Sequence, residues 1–374
     1  MKVQPLTTKE LAQKILADEE VFLLDIRSEE DYQDWSIQGG HVHSFNIPYQ
    51  QLEKKAEYIQ EKLPENQTLY VVCARGISSQ KGADILNDAG VNKVTHLEGG
   101  MKAWSEHLEP VKLATLSDKA ELYQFIRIGK GCLSYSILSD GKMAVIDPVR
   151  MTKTYKNFAK ENNATIETVI DTHLHADHIS GSKTLAEETD AAYYFPEADD
   201  EGLTFSYNKL KDGTTIHISE SVTITAYYSP GHTIGSTSLI VNDAYIMTGD
   251  TLFIESIGRP DLAGKADDWV EDLHKTLYKR FRNLSAELIV LPGHFGSMEE
   301  INQDSTIQSP LKELYRNNEL LQVNDKQQFI KLVTNHLPEQ PNSHEQIRKI
   351  NMGKTNPNEE ERQEMEVGPN RCAV

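Results

Sequence analysis

Residues 169–181, VIDTHLHADHISG, carry the pattern that decides the fold. The first letters end a short, β-branched apolar run, which is typical of a buried strand. Three of the chain's 13 histidines and one carboxylate then fall within six residues, as His173-Leu-His175-Ala-Asp177-His178. Imidazole nitrogens and carboxylate oxygens are ligands that first-row divalent metals prefer, and a loop at a strand end lets such side chains converge. The segment therefore predicts a metal site.

Three later residues repeat this placement. His232, Asp250 and His294 each follow a short apolar segment that reads as a strand, in Pro-Gly-His, Gly-Asp and Pro-Gly-His sequences. A polar histidine loop without a metal does not require further donors at strand ends. The whole set is therefore far more specific for a metal centre than a lone pair of histidines.

This set resembles the signature of the metallo-β-lactamase superfamily, HxHxDH followed by single His, Asp and His ligands. The resemblance covers roughly residues 120–300 and implies an αββα sandwich with the site at one edge of its two sheets. Because every superfamily metal position is present, counting ligands does not decide between one metal and two. The positions are His173, His175, Asp177, His178, His232, Asp250 and His294.

Two branches of the superfamily fit these residues. The glyoxalase II branch uses all seven positions for a dinuclear zinc site that hydrolyses thioesters. In the persulfide dioxygenase branch, one Fe(II) per chain would be held by His173, His232 and Asp250. Such a facial triad leaves three positions open for the persulfide sulfur and O2. The other four residues would orient the ligands or relay protons, with a catalytic role implied for Asp177. These four are His175, Asp177, His178 and His294.

The segments GDTLF (249–253) and GRPDL (258–262) look like the dioxygenase branch. In them Arg259 is either a substrate-binding residue or a structural partner of Asp261. Glutathione-using dioxygenases carry an arginine and a tyrosine where this chain has Glu255 and Gly296. The resemblance therefore disfavours glutathione persulfide and favours another low-molecular-weight thiol persulfide, such as one on coenzyme A.

A second signal is the loop CARGISS (73–79), in which Cys73 ends an apolar strand and a helix follows directly. Backbone N–H groups of such a loop, with the helix N-terminus, stabilise a thiolate and its persulfide. Arg75 adds a positive charge, and Gly76, Ser78 and Ser79 are expected to bind the transferred group. The alternative is a buried structural cysteine.

The loop and its surroundings resemble a rhodanese domain over about residues 5–108. The matching segments are LLDIR (23–27), Asn46-Ile47-Pro48, CARGISS (73–79), and LEGG (97–100) with Trp104. The resemblance implies a parallel sheet flanked by helices and transfer of sulfane sulfur through a Cys73 persulfide. Rhodaneses also pass sulfur to sulfite, which gives thiosulfate, so a persulfide dioxygenase would supply the acceptor.

The sequence thus predicts three parts: a rhodanese domain at 1–110, a metallo-β-lactamase-fold domain at 119–345 and a solvated acidic tail at 346–374. The polar stretch Glu109–Lys119 is the expected boundary. The net charge is 38 − 57 = −19, which disfavours nucleic acid as a partner. No apolar run approaches the roughly 18 residues that cross a bilayer, and the first 20 residues lack a secretory apolar region.

The chain has three cysteines, Cys73, Cys132 and Cys372. An odd number at wide spacing argues against a disulfide framework and is typical of a protein in a reducing cytoplasm. Cys132 is expected in the core, and Cys372 is expected to lie near the iron pocket. The combined prediction is an iron-dependent persulfide dioxygenase with sulfurtransferase activity, active in sulfide detoxification. A homodimer is expected from related enzymes. Two alternatives remain open, a dinuclear zinc thioester hydrolase and a sulfur-relay module whose metal is not catalytic.

Overall fold

The structure, a computed structural model, describes residues 4–261, 266–323, 325–335, 337 and 343–368. The chain divides into two compact units, one built mainly on residues 1–109 and the other mainly on residues 110–366. None of the helices in the described ranges is long and apolar enough to cross a membrane.

The first unit is a four-stranded, fully parallel sheet in the order β2-β1-β3-β4. Its strands are β1 Val21–Asp25, β2 Val42–Asn46, β3 Leu69–Val72 and β4 Val94–His96. Its helices are α1 Thr8–Leu16, α2 Glu29–Asp34, α3 Ala56–Lys62, α4 Ile77–Asp88 and α5 Gly100–Glu106. The predicted parallel sheet with flanking helices is confirmed. The sequence pattern missed β2, because this edge strand is polar and only partly buried.

The second unit contains two sheets. The seven-stranded sheet has the order β11-β10-β9-β8-β7-β6-β5, and the six-stranded sheet runs from β12 to β17 in sequence order. The strands of the first sheet are β5 Glu109–Ser117, β6 Ala120–Arg127, β7 Cys132–Ser139, β8 Lys142–Ile146, β9 Thr165–Ile170, β10 Ala192–Pro196 and β11 Asn208–Leu210. The strands of the second are β12 Thr215–His217, β13 Thr223–Tyr228, β14 Thr237–Val241, β15 Tyr245–Gly249, β16 Ile289–Pro292 and β17 Ser309–Pro310.

Seven helices accompany these sheets in the described ranges: α6 Thr152–Glu161, α7 Ser182–Thr189, α8 Ala266–Lys275, α9 Leu311–Asn317, α10 Lys326–Asn335, α11 His344–Asn351 and α12 Glu359–Glu366. The predicted metallo-β-lactamase fold is confirmed. Strands β8, β9 and β10 are parallel, as are β15 and β16. Since parallel strands end at the same edge of a sheet, the loops that carry the predicted ligands are brought together there.

Two segments differ from the sequence prediction. The polar stretch expected as a boundary forms β5, whose partly exposed position at the end of its sheet explains its composition. The expected solvated tail contains the end of α11 and the whole of α12. Glu366, the last residue of α12, is 1% exposed and ion-paired with Arg150. The acidic first turn of α12 is what gives the segment its tail-like composition. Cys372 lies outside the described residues.

Candidate metal centre and sulfur-transfer loop

The three residues of the predicted triad come together in the second unit. His173, His232 and Asp250 are each 1% exposed. The Nε2 atoms of the two histidines lie 3.8 and 3.6 Å from Oδ2 of Asp250. The three side chains offer donor atoms that all lie within 4.8 Å of one another, which is the spacing of a metal-binding set.

The far side of each imidazole is fixed by a hydrogen bond. His232 Nδ1 donates to the backbone carbonyl of Arg259 at 2.8 Å. Thr172 Oγ1 donates its proton to Asp147 at 2.8 Å and therefore accepts from His173 Nδ1 at 3.0 Å. Burial lowers the pKa of both histidines, which favours the neutral imidazole in each. With the proton on Nδ1, each Nε2 carries a lone pair.

These inward-facing atoms have no hydrogen-bond partner. His173 Nε2, His232 Nε2 and Asp250 Oδ2 are all buried and unsatisfied. An unpaired buried polar atom costs about 1–3 kcal/mol, so three at one point need an explanation. Two neutral imidazoles and a carboxylate are a donor set that suits a divalent metal. The residues therefore fit a metal cofactor.

A second group joins the start of β7 and the end of β16 to the loop after β9. Cys132, Asp177, His178 and His294 are all buried, and their donor atoms also lie within 4.8 Å of one another. His294 Nε2 is 2.8 Å from Asp177 Oδ2, and its Nδ1 is 2.6 Å from Asp250 Oδ1. This group therefore touches the triad directly through His294.

Cys132 was expected in the core, and it is 1% exposed there. Sequence reasoning did not place its thiol in the metal centre. Its Sγ lies 3.9 Å from Asp177 Oδ2. Burial raises the pKa of this thiol, but His294 and His178 outweigh that effect and lower the pKa to about 6. The pairing of Cys132 with His294 across the two strand ends is what brings it there, and no sequence motif signals such a pairing.

His175 belongs to a third group. Its Nε2 lies 3.2 Å from Asp147 Oδ1 and 3.6 Å from Asp171 Oδ1, while its Nδ1 has no hydrogen-bond partner. Both carboxylates are buried. The sequence analysis did not select either of them, although Asp147 directly follows β8 and Asp171 directly follows β9. Strand-end position was the signal that could have found them.

A further unpredicted carboxylate joins two of the ligand loops. Asp199 accepts hydrogen bonds from the backbone N–H of Leu174 at 2.9 Å and of Gly235 at 2.7 Å. It also accepts from Thr233 Oγ1 at 2.6 Å. This side chain thereby fixes the loop after β9 relative to the loop that carries His232.

The Arg259 side chain is fully buried and forms a two-point ion pair with Asp261, at 2.7 and 2.9 Å. This pair favours the structural alternative, and a substrate-binding role for Arg259 stays a prediction. Its backbone carbonyl orients His232. Glu255 and Gly296 stand where glutathione-using dioxygenases carry an arginine and a tyrosine, and both are exposed.

The loop of the first unit is built around the Cys73 sulfur, which is 5% exposed. The backbone N–H groups of Gly76 and Ser79 both donate to Sγ at 3.2 Å. Both stand at the start of α4, so the positive end of the helix also faces the sulfur. Arg75 and Ser78 are exposed on the same loop. The arrangement is suited to stabilising a sulfur anion at Cys73.

The segment LEGG (97–100), which carries part of the rhodanese resemblance, lies against this loop. Gly100 begins α5 with φ +59°, and a Cβ there would lie 2.1 Å from the carbonyl oxygen of Cys73. The N–H groups of Met101 and Lys102 donate to the carbonyls of Cys73 and Ala74, both at 2.9 Å. The first turn of α5 therefore clamps the backbone of the loop, and only glycine fits at position 100.

Comparison with known proteins agrees with the predicted family of each of the two domains. The rhodanese-like domain family matches residues 7–107, and the metallo-β-lactamase superfamily matches residues 127–294. The chain joins a rhodanese domain to a metallo-β-lactamase domain. The rhodanese domain belongs to the family of the putative sulfurtransferase YtwF of Bacillus subtilis, which is 31% identical over 113 residues, 29% of this chain and 98% of that protein.

Solved structures resemble the metallo-β-lactamase domain. The crystal structure of a metallo-β-lactamase from Staphylococcus aureus has a TM-score of 0.58 at 25% identity, over 64% of this chain and 74% of that one. The structure of ETHE1 from Myxococcus xanthus has a TM-score of 0.55 at 22% identity, over 63% of this chain and 99% of that one. The second likeness shows the fold alone. Both domain families support catalysis. The metallo-β-lactamase fold and its buried donor residues support a metal cofactor, and the rhodanese domain supports a role in sulfur metabolism.

Proposed function

We propose that the metallo-β-lactamase domain is an Fe(II)-dependent persulfide dioxygenase and that the rhodanese domain is a working sulfurtransferase. The oxidation is RSSH + O2 + H2O → RSH + SO3²⁻ + 2H⁺, in which the outer sulfur is oxidised and O2 is reduced. In the transfer, sulfite attacks the outer sulfur of a Cys73 persulfide. The S–S bond breaks, thiosulfate forms and Cys73 is released as the thiolate.

The observation that carries the proposal is the triad of unsatisfied donors. His173 Nε2, His232 Nε2 and Asp250 Oδ2 are the set that a mononuclear non-haem iron site uses, two imidazoles and one carboxylate. Iron bound there would supply the redox chemistry that lets O2 react with the persulfide sulfur. The rhodanese domain on the same chain makes a sulfane-sulfur substrate the natural choice.

The neighbouring side chains are suited to moving protons. Asp177 lies between His178, at 3.1 Å, and His294 Nε2, at 2.8 Å. His294 in turn reaches Asp250, so a continuous path of titratable groups runs from Asp177 to the triad. The reaction releases two protons, and this path supplies acceptors for them next to the site. We therefore keep the proton-transfer role for Asp177.

The substrate in this proposal is a persulfide other than that of glutathione. The exposed Glu255 would repel a carboxylate-bearing thiol, and the exposed Gly296 offers no side chain to hold one. Comparing O2 uptake with glutathione persulfide and coenzyme A persulfide at equal concentration tests this part. A clear preference for glutathione persulfide would refute it.

The deciding experiment is metal analysis of the purified chain together with an O2 electrode trace. We expect about one iron per chain and O2 uptake only when a thiol persulfide is added, with sulfite as the product. Substitution of His173, His232 or Asp250 by alanine should remove both iron and O2 uptake. Full activity in any of these variants would show that the triad assignment is wrong.

A dinuclear zinc thioester hydrolase is the second candidate, because His175 Nδ1 and His178 Nε2 are also buried without partners. In this case all seven positions would hold zinc, with Asp250 shared between the two ions and His294 a direct ligand. His175→Ala separates the two functions. It should leave iron near one per chain in the dioxygenase, but it should lower zinc content and anaerobic thioester hydrolysis in the hydrolase. A stable Cys73 persulfide passed only to a protein acceptor, with no turnover of small thiols, would instead indicate a sulfur relay.

A further inference from the structure

The metal-ligand loop, residues 173–180, leaves β9 and reaches α7 without belonging to a strand or helix. Its backbone N–H and carbonyl groups therefore need partners from elsewhere, since buried backbone groups are costly when unpaired. The metallo-β-lactamase match ends at residue 294. Several of the partners come from beyond that point, from the end of α11 and from α12.

Asn351, the last residue of α11, makes three hydrogen bonds to this loop. Its Nδ2 donates to the backbone carbonyl of His175 at 3.0 Å and to that of His178 at 2.9 Å. Its Oδ1 accepts from the N–H of Ser180 at 2.9 Å. A single amide thus fixes the backbone of two candidate ligands.

Glu366, the last residue of α12, holds the residue that directly follows His178. Its Oε1 accepts from the N–H of Ile179 at 2.9 Å, and its Oε2 is ion-paired with Arg150. The carboxylate is 1% exposed. A buried carboxylate is costly unless it is paired, and the partners of Glu366 are Arg150 and the ligand loop.

We propose that residues 343–366 are a brace for the metal centre and that Asn351 is its positioning residue. The brace sets the backbone of His175–Ser180 and so the directions of the His175, Asp177 and His178 side chains. This inference rests on metal binding by the loop, but not on which metal or reaction the site uses.

The test compares Asn351→Asp with Asn162→Asp in the full chain. Asn351→Asp keeps the size and the acceptor but replaces both donors with an oxygen that faces two carbonyls. Asn162 is exposed at the end of α6, where its Nδ2 donates to the Phe158 carbonyl, so its substitution makes the same chemical and charge change far from the loop. Co(II) binding to the metal-free proteins is measured by competition with a chromogenic chelator.

We expect Co(II) affinity to fall about 10–100-fold in Asn351→Asp, the usual effect of losing a group that orients metal ligands. The visible Co(II) spectrum should also change, because the ligand directions change. Asn162→Asp should match the parent in both. Equal affinity and identical spectra for the two variants would overturn the proposal, as would a loss of thermal stability without a loss of affinity.

A second measurement needs no metal and no turnover. In the metal-free chain, Asn351→Ala should speed amide hydrogen exchange at Ser180, and Glu366→Ala should speed it at Ile179. Glu366→Gln keeps an acceptor for Ile179 and should preserve its protection. Unchanged exchange at both amides would refute the brace, while absence of dioxygenase activity in the parent would affect only the proposed function.

Discussion

The substitution Gly100→Ala should disable sulfur transfer by displacing the loop around Cys73. A Cβ at position 100 would lie 2.1 Å from the Cys73 carbonyl oxygen and 2.7 Å from the Gly76 nitrogen, whereas ordinary contact begins at 3.4 Å. Both neighbours are backbone atoms of the sulfur-binding loop. Relief of the clash therefore requires movement of about 1.3 Å, and a misplacement of about 1 Å can cost 100-fold in rate.

The matched control is Gly90→Ala. Gly90 also has a positive φ, +92°, but nothing lies within 4 Å of its Cβ position. Each alanine incurs about 1–2 kcal/mol for the left-handed backbone, so only Gly100→Ala adds a clash. We expect Gly90→Ala to lower the free energy of unfolding by that amount and to transfer sulfur normally.

The assay is thiosulfate-to-cyanide transfer, followed by thiocyanate formation, together with mass spectrometry of the Cys73 persulfide. Gly100→Ala should be at least about 100-fold slower and should accumulate little persulfide. O2 uptake with a thiol persulfide should stay near that of the parent, since the other domain is unchanged. Parent-like transfer by Gly100→Ala, or equal loss in both variants, would refute the reasoning.

Three further predictions address the two sites and one buried acid. Cys73→Ser should abolish sulfur transfer and leave O2 uptake largely intact; loss of both would show that the sites are not separable. His173→Ala should lose bound metal, whereas the exposed His217→Ala should keep it, and equal metal contents would contradict the site. Burial raises the pKa of Glu300, although Gly296 N–H donates to it. When folding raises the pKa of a carboxyl, the free energy of unfolding falls as pH rises from the unfolded-state pKa through the folded-state pKa. Glu300→Gln should therefore raise Tm at neutral pH but not below the usual glutamate pKa of about 4.3, and a pH-independent difference would contradict this.

Much of this fold could be predicted because its strands are short, apolar and separated by turn residues. The strand β9 is an example, since its apolar end, Val169-Ile170, and the histidines that follow it are both visible in the sequence. Strand β5 was read as a boundary because a partly exposed end strand has the composition of a linker. The same ambiguity hid α12, whose acidic surface masks a buried carboxylate.

The residues of the candidate metal centre also fall into a set that the sequence predicts and a set that it does not. Residues in the HxHxDH run were visible because their spacing is local, and His232, Asp250 and His294 because each repeats a glycine-containing strand end. Asp199, Asn351 and Cys132 gave no such signal, since each reaches the site by contacts between segments distant in the chain. Single residues brought together by topology carry no sequence spacing from which to infer them.

One physical rule applies to both the sulfur-transfer loop and the metal centre, and it could have extended the prediction of site residues. Parallel strands end at one edge of their sheet, so polar residues directly after them converge. Cys73 follows β3, while Asp147 and Asp171 follow the neighbouring parallel strands β8 and β9. Applied to the end of every strand, this rule selects both carboxylates that lie against His175, without reference to any family. Thr172 Oγ1 donates to Asp147 and accepts from His173, a residue of the triad. We therefore expect substitutions at Asp147 to alter metal binding through Thr172 and His173 rather than through a contact of their own.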